Sequence, residues 1–426
     1  MTVETSWIVR IGYYDDGTNY TTTDFTDRTL GFSIAQATDL AVMGTSSARI
    51  TLDNSDGELT PQAGGTYSST QWFKYALEIR CQIDYGAGLA TSANVFAGII
   101  DSFDLTDDGI SSTVTIGAVD VFQTASRQQV ETLGFPATVA PSPHEAIELL
   151  ADPSFSLNNT VMPNFGETAN PDGNLTVTSL SPAKTRQVLL QAAAVSSAPV
   201  GDYIANNVMT CGLTAAWPGG FDPLTAHTEI FVVENAQRSN PTTFEFAENA
   251  LGTELPFRAL KRSYQLDQLT TASRITRRFT GYVKTSETAQ STYGSRLREY
   301  VTASHSDSDT DEDAANWTLR FANPRYATTS LQVTASMVKE RASDSHATAW
   351  ADLLSVENGI WAGASVEFTP AGRPGAITDY ALVVGRTITA TPSDTTVTLA
   401  LRPSIDYGTF TLDSAALGII GINRLG

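Results

Sequence analysis

At 426 residues the chain is long for a single compact core, so about two to four domains of ~100–200 residues each are expected. A net charge of −20 argues against attraction to a phosphate backbone or an anionic membrane surface, because each requires a basic face. Hydrophobic residues make up 41% and charged residues only 17%, with Thr, Ser, Ala and Gly filling the difference, which is a β-rich composition.

From Trp7 to Phe122 the pattern is β almost throughout. W-I-V-R-I-G-Y-Y and L-G-F-S-I-A lead into A-R-I-T-L-D-N-S-D-G-E-L-T-P at Ala48 to Pro61. There Ile50 and Leu52 point inward, Arg49 and Thr51 outward, and an Asp/Asn/Ser/Gly turn ends the strand. In L-E-I-R-C-Q-I-D, Leu77, Ile79, Cys81 and Ile83 share one face and Glu78, Arg80, Gln82 and Asp84 the other, which makes Cys81 a small core residue. A hairpin follows, V-F-A-G-I-I-D-S-F-D-L and S-T-V-T-I-G-A-V-D-V-F, turned by Asp107, Asp108 and Gly109. Such spacing predicts a small closed or sandwich-like β domain.

Residues 123 to about 320 mix short helices with strands. Ser142, Pro143 and Glu145 form a capping box ahead of Ala146, Ile147, Leu149 and Leu150, and Ser181 and Pro182 repeat the entry signal. Asp152 to Ser181 reads as a long loop, and Asp202 to Trp217 and His227 to Val233 as strands. An alternating strand from Leu269 to Lys284 carries a basic patch, Arg274, Arg277 and Arg278, which suits either cross-strand carboxylate partners or a subunit interface. The acidic run Asp307 to Asp313 has Asp307, Asp309 and Asp311 at the first, third and fifth places of a calcium loop. Glu312 stands where the loop needs Gly and Thr318 where it needs Glu, so a solvated loop is expected, leading into a helix from Glu312 to about Ala322.

The last hundred residues return to β. A short helix, Ala347 to Leu354, turns Trp350, Leu353 and Leu354 to one face. A strand opens at Ala364, and D-Y-A-L-V-V-G-R-T-I-T-A, the turn T-P-S-D and T-T-V-T-L-A-L-R make a second hairpin. Both hairpins have an apolar strand broken by one glycine, Gly98 or Gly385, and a return strand entered as Thr-Val-Thr, at Thr113 to Thr115 and Thr396 to Thr398. Duplication of one β module around an inserted mixed region would produce this.

Chemical motifs are missing. Cys81 and Cys211 have no zinc spacing, and His144, His227, His305 and His346 no metal spacing. No nucleophile elbow, phosphate-binding loop or dinucleotide fingerprint occurs, so no catalytic, cofactor-binding or metal-ligating residue is assigned and a hydrolase is unsupported. No basic region and apolar run open the chain and no stretch approaches about 18 apolar residues, so neither an export signal nor a membrane anchor is expected.

Four segments in order resemble the baseplate or tail-tip hub family of minor tail proteins from long-tailed bacteriophages. They are Ala48 to Pro61, V-F-A-G-I-I-D-S-F at Val95 to Phe103, S-T-Y-G-S-R at Ser291 to Arg296, and the C-terminal run through L-A-L-R-P-S to F-T-L-D-S-A-A-L-G-I-I-G. The resemblance implies a mainly β chain: a tube-like β-barrel module over residues 1–124, a mixed α+β insert over 125–322, and a second barrel module with a tail over 323–426. It implies a non-enzymatic homotrimer at the virion tail tip, assembled in the host cytoplasm. Such a trimer joins the six-fold tail tube and distal tail protein to a three-fold tip, with tape-measure protein inside and fibre or spike proteins as further partners. An acidic lumen would repel passing DNA, with no sequence-specific nucleic-acid binding. Many hubs continue into a receptor-binding, spike or lytic domain; here the expectation is that this polypeptide carries none. The competing reading is a carbohydrate- or receptor-binding module, suggested by the Thr-rich composition and by Trp72, Trp217 and Trp361.

Overall fold

A computed structural model describes residues 3–14, 20–37, 46–61, 76–84, 90–119, 175–179, 213–216, 228–234, 243–250, 252–263, 269–277, 280–285, 287–302, 315, 319, 327–340, 344–355, 363–372 and 375–403. The fold is mainly β. The first strands are β1 (Glu4–Tyr14), β2 (Tyr20–Asp24), β3 (Thr29–Ala37), β4 (Ser46–Asp53), β5 (Ala76–Asp84), β6 (Ala90–Asp107) and β7 (Ser112–Val119). Next come β8 (Leu175–Ser179), β9 (Leu213–Ala216) and β10 (Thr228–Glu234), a separate three-stranded sheet. Then follow β11 (Thr243–Ala247), β12 (Ala259–Ser263), β13 (Ala272–Arg277), β14 (Thr280–Thr285), helix α1 (Glu287–Tyr293) and β15 (Leu297–Thr302). The chain returns through β16 (Ala327–Thr334), helices α2 (Ala335–Glu340) and α3 (Asp344–Leu354), β17 (Gly363–Phe368), β18 (Ile377–Ala390) and β19 (Thr395–Pro403).

Thirteen strands form one sheet, and two four-stranded units within it have the same plan. Hydrogen-bonded order is β4-β7-β6-β5 in the first and β16-β19-β18-β17 in the second. Their registers coincide: Thr113 faces Thr106 and Asp53, and Thr396 faces Thr389 and Thr334. Both hairpins carry a bulge at the same step. Asp101 is the extra residue between Ile100 and Ser102, and Val384 the extra residue between Val383 and Gly385. A bulge leaves one residue unpaired and sharpens strand twist, so its placement at the same step in both units marks a shared backbone design.

The Thr-Val-Thr match therefore holds, but the glycine match does not. Gly98 faces Leu77, as Ala381 faces Ala364, whereas Gly385 faces Ala400, as Ser102 faces Gly117. The glycines serve different local needs. A Cβ on Gly98 would overlap the Val119 carbonyl oxygen and stand 2.6 Å from Phe96 Cζ, whereas a Cβ on Gly117 would meet the Ser102 hydroxyl, which can rotate away. Gly98→Ala is accordingly expected to cost roughly 1–3 kcal/mol and Gly117→Ala distinctly less, as paired thermal melts would show.

Strand alternation fills the core as the composition requires. Ile50, Leu52, Val114 and Ile116 are fully buried in the first unit, as are Val333, Val383, Val397 and Leu399 in the second. One continuous apolar cluster includes both sets, together with Trp350, Leu353 and Leu354 of α3. Cys81 lies in that core on the face shared by Leu77, Ile79 and Ile83. Glu78, expected outside, is buried as well and pairs with Arg80.

Other sequence expectations fare unevenly. The long strand from Leu269 to Lys284 is instead the antiparallel pair β13 and β14, with Arg277 facing Thr280, and β15 joins parallel to β13. Apolar alternation alone cannot show where a strand doubles back. Strand β8 interrupts the expected loop at Asp152 to Ser181. Helix α3 starts at Asp344, slightly before the expected Ala347. Ala315 and Leu319 are helical within the expected Glu312 to Ala322 helix, while the helices expected after Ser142 and Ser181 lie outside the described residues. Strands β11 and β12, from inside the 125–322 span, pair into the second unit through β17 and β16.

Candidate functional site

The turn after β4 shows how its acidic residues are used. Buried Asn54 accepts from the Leu59 amide through Oδ1 (2.8 Å) and donates through Nδ2 to the hydroxyls of Thr60 and Ser112 (3.0 Å each). Gly57, at φ +72°, supplies the left-handed residue and donates its amide to the Asn54 carbonyl at 2.9 Å. Asp53 accepts from the Ser55 amide at 3.0 Å. Arg28 reaches in from the segment before β3 and holds both Asp56 (2.6 Å) and Glu58. Its hydrogen bond pulls the Asp56 carboxyl down to about 2. The carboxylates thus brace a turn; among the described residues, no group of three or more His, Cys, Asp or Glu could hold a metal ion.

Other singled-out residues do not converge. Burial pushes the Cys81 thiol well above its ordinary range, which leaves it protonated and unreactive. His346 is buried in α3, and His144, His227, His305, Cys211, Trp72, Trp217, Trp361 and the Asp307 to Asp313 run lie outside the described residues. Arg274 faces its register partner Glu299 at 3.8 Å, matching the cross-strand reading; the side chains of Arg277 and Arg278 are not described.

Instead, the most heavily built feature is the junction between the two units. Strand β18 pairs antiparallel with β3, and the register sets Arg386 against Gln36. Arg386 is almost fully buried. It donates through Nε (3.0 Å) and Nη2 (2.6 Å) to Gln36 Oε1, and through Nη1 to the carbonyls of Leu353 and Ser355 (2.8 Å for Ser355) at the C-terminal end of α3. Burial pushes its guanidinium down to about 9, so it stays charged at neutral pH, facing the negative end of a helix dipole. Trp7 of β1 donates to Thr395 Oγ1 at 2.9 Å, Lys339 of α2 meets Glu4 at 3.2 Å, and Ser336 gives its amide and hydroxyl to Asp394. These groups surround a cleft of about 550 Å³ between β1, β3, α2 and the turn between β18 and β19. Sequence reading missed Arg386, although one signal existed: it shares the strand face of inward Ile388 and Ala390.

No family model and no curated protein matches this chain. Solved structures do. The tail protein from Neisseria meningitidis MC58 aligns over 94% of this chain and 96% of its own, with 12% identity and a TM-score of 0.52. This chain has the fold of a tail protein. The 43 kDa tail protein of prophage MuSo2 from Shewanella oneidensis aligns over 93% and 98%, at 10% identity and TM-score 0.49. The E. coli c3393 protein, a type VI secretion system component similar in structure to the T4 bacteriophage tail proteins gp27 and gp5, aligns over 89% of this chain and 75% of its own, at 10% identity and TM-score 0.43.

Proposed function

We propose that this chain is a structural, non-enzymatic component of a phage tail tip, a trimeric hub. Each subunit contributes two related β modules to a ring that joins the six-fold tube to a three-fold tip. The observation that carries this reading is the duplicated unit: the same strand order, register and bulge occur twice, and β3 and β18 join the copies edge to edge. Three chains with two such modules each supply six similar positions, which a six-fold tube requires. The first module spans residues 1–124, the insert follows, and the second module, 323–426, also takes in β11 and β12. Expected partners are the distal tail and tube proteins, the tape-measure protein inside the ring, and fibre or spike proteins below. The net charge of −20 would keep DNA from adhering to such a channel.

Native mass and negative-stain imaging of the full chain test this. A three-copy ring is the expected result. A persistent monomer with glycan affinity would instead favour the carbohydrate- or receptor-binding alternative.

A further inference from the structure

Duplication leaves two strand edges whose counterparts are occupied. In the second unit β18 serves two neighbours on one edge: residues 377–382 pair with β17 and residues 385–390 with β3. Strand β6 holds the same place in the first unit. Its residues 90–99 pair with β5, which begins with Ala76 opposite Ile99, as β17 begins with Gly363 opposite Leu382. Residues 102–107 then have β7 on one side and, among the described residues, no strand on the other. The second open edge is that of β12, which flanks β16 as β3 flanks β4 and, among the described residues, pairs with no other strand.

Side chains on both edges fit a missing neighbour. Leu105 occupies the register position of Ile388; Ile388 is fully buried beside β3, while Leu105 is 40% exposed. On β12, Leu260 faces Leu331 and Lys261 faces Ser330, as Phe32 faces Ile50 and Ser33 faces Arg49. Asp101 to Asp108 contains Asp101, Asp104, Asp107 and Asp108 and no cation. Arg258 to Arg262 contains Arg258, Lys261 and Arg262 and no carboxylate, a basic cluster as dense as the one at Arg274. Arg262 is committed within the chain to Asp379 (3.0 and 3.1 Å), whereas Arg258 and Lys261 are exposed. Unpaired backbone groups on an edge are a template for another strand, and opposite charges across it select the partner.

We propose that a second copy of this chain docks its β12 antiparallel on the β6 edge at Ser102 to Asp107, repeating between copies the junction that β3 and β18 make within one. Carrying over the β18·β3 register, in which Ala390 faces Phe32 and Thr389 faces Ser33, sets the neighbouring copy's Leu260 against Asp107 and its Lys261 against Thr106. Asp104, two residues along on the same face, comes within diagonal reach of that lysine. Its exposed pair with Arg49 is loose, at 3.7 Å. The two edges belong to different units, so the contact is head-to-tail and generates a ring if the rotation closes. This assigns the contact surface of the trimer proposed above and rests on that reading.

Disulfide trapping in the full chain tests the register. Residues directly opposite on antiparallel strands lie about 4.5–5.5 Å apart at Cα, within disulfide range. In a Cys211→Ser background that keeps buried Cys81, the T106C/K261C double variant is expected to form covalent multimers on mild oxidation, and neither single variant to do so. S33C/T389C, its counterpart within the chain, should close as a disulfide inside one chain, losing two hydrogens to the oxidant and forming no multimer. Lys261→Asp or Asp104→Lys alone should weaken association tenfold or more, and the pair together should restore it. Monomers at every concentration would overturn both the trimer and this contact. A trimer whose T106C/K261C variant does not crosslink, while S33C/T389C does, would overturn the contact and leave the trimer standing.

Discussion

Arg386→Met is expected to lower unfolding free energy by about 3–5 kcal/mol, among the largest losses available to a single substitution in this chain. Methionine fills similar space, so the loss is chiefly polar. Gln36 Oε1 and the carbonyls of Leu353 and Ser355 would be left inside the protein without their donor. Lysine is not an adequate replacement, since one ammonium cannot reproduce a planar fork that serves a side chain on β3 and a helix end at once. Adding Gln36→Leu to Arg386→Met removes one orphaned acceptor and should recover about 1 kcal/mol or more, giving a non-additive cycle. Equilibrium urea unfolding of the four proteins measures this. Additive losses would mean that the two side chains do not act as one unit. The position is also informative because its register counterpart in the first unit is Phe103. The duplicated frame thus carries an apolar residue in one copy and a buried cation in the other, at the place where the two copies join.

Much of the β framework was legible from sequence because alternation with period two and Asp/Gly turns are local signals. Ile50 and Leu52, Val397 and Leu399, and the Asp107 to Gly109 turn all fall where those signals put them. Registers were less accessible. Two glycines in similar apolar strands suggested a match between Gly98 and Gly385, but they stand 15 and 11 residues before the Thr-Val-Thr of their own hairpins, and the shared register, with both bulges at the same step, keeps them at different positions. Short strands such as β12, five residues of which three are charged or polar, give no apolar run to read and owe their place to β16. Arg386 was overlooked for a related reason. Its burial depends on Gln36 and on the end of α3, both brought near it by tertiary structure. At Asp53 to Gly57 the sequence shows a turn that ends a strand, and the hydrogen bonds of Asn54 and the Arg28 ion pairs show what holds that turn in shape.

Trp350→Ala should be comparably damaging, at about 3–5 kcal/mol, and it tests how the two units cohere away from the strand junction. Helix α3 is connected in sequence to the second unit, between β16 and β17, yet it packs against β5 and β6 of the first. Trp350 is fully buried there, and its indole Nε1 donates to Thr5 Oγ1 of β1 at 3.1 Å. The ring therefore ties α3 to the first unit as well as filling the core, and its removal leaves a cavity that the surrounding strands cannot easily collapse. Trp350→Phe keeps most of the apolar contact and loses the indole N–H, so about 1–2 kcal/mol is expected. Thermal unfolding of the two variants separates packing from hydrogen bonding. An alanine variant no less stable than the phenylalanine one would show that Trp350 is not what holds the first unit to the second, leaving the β3·β18 pairing, Arg386 with Gln36, Trp7 with Thr395 and Lys339 with Glu4 as connections.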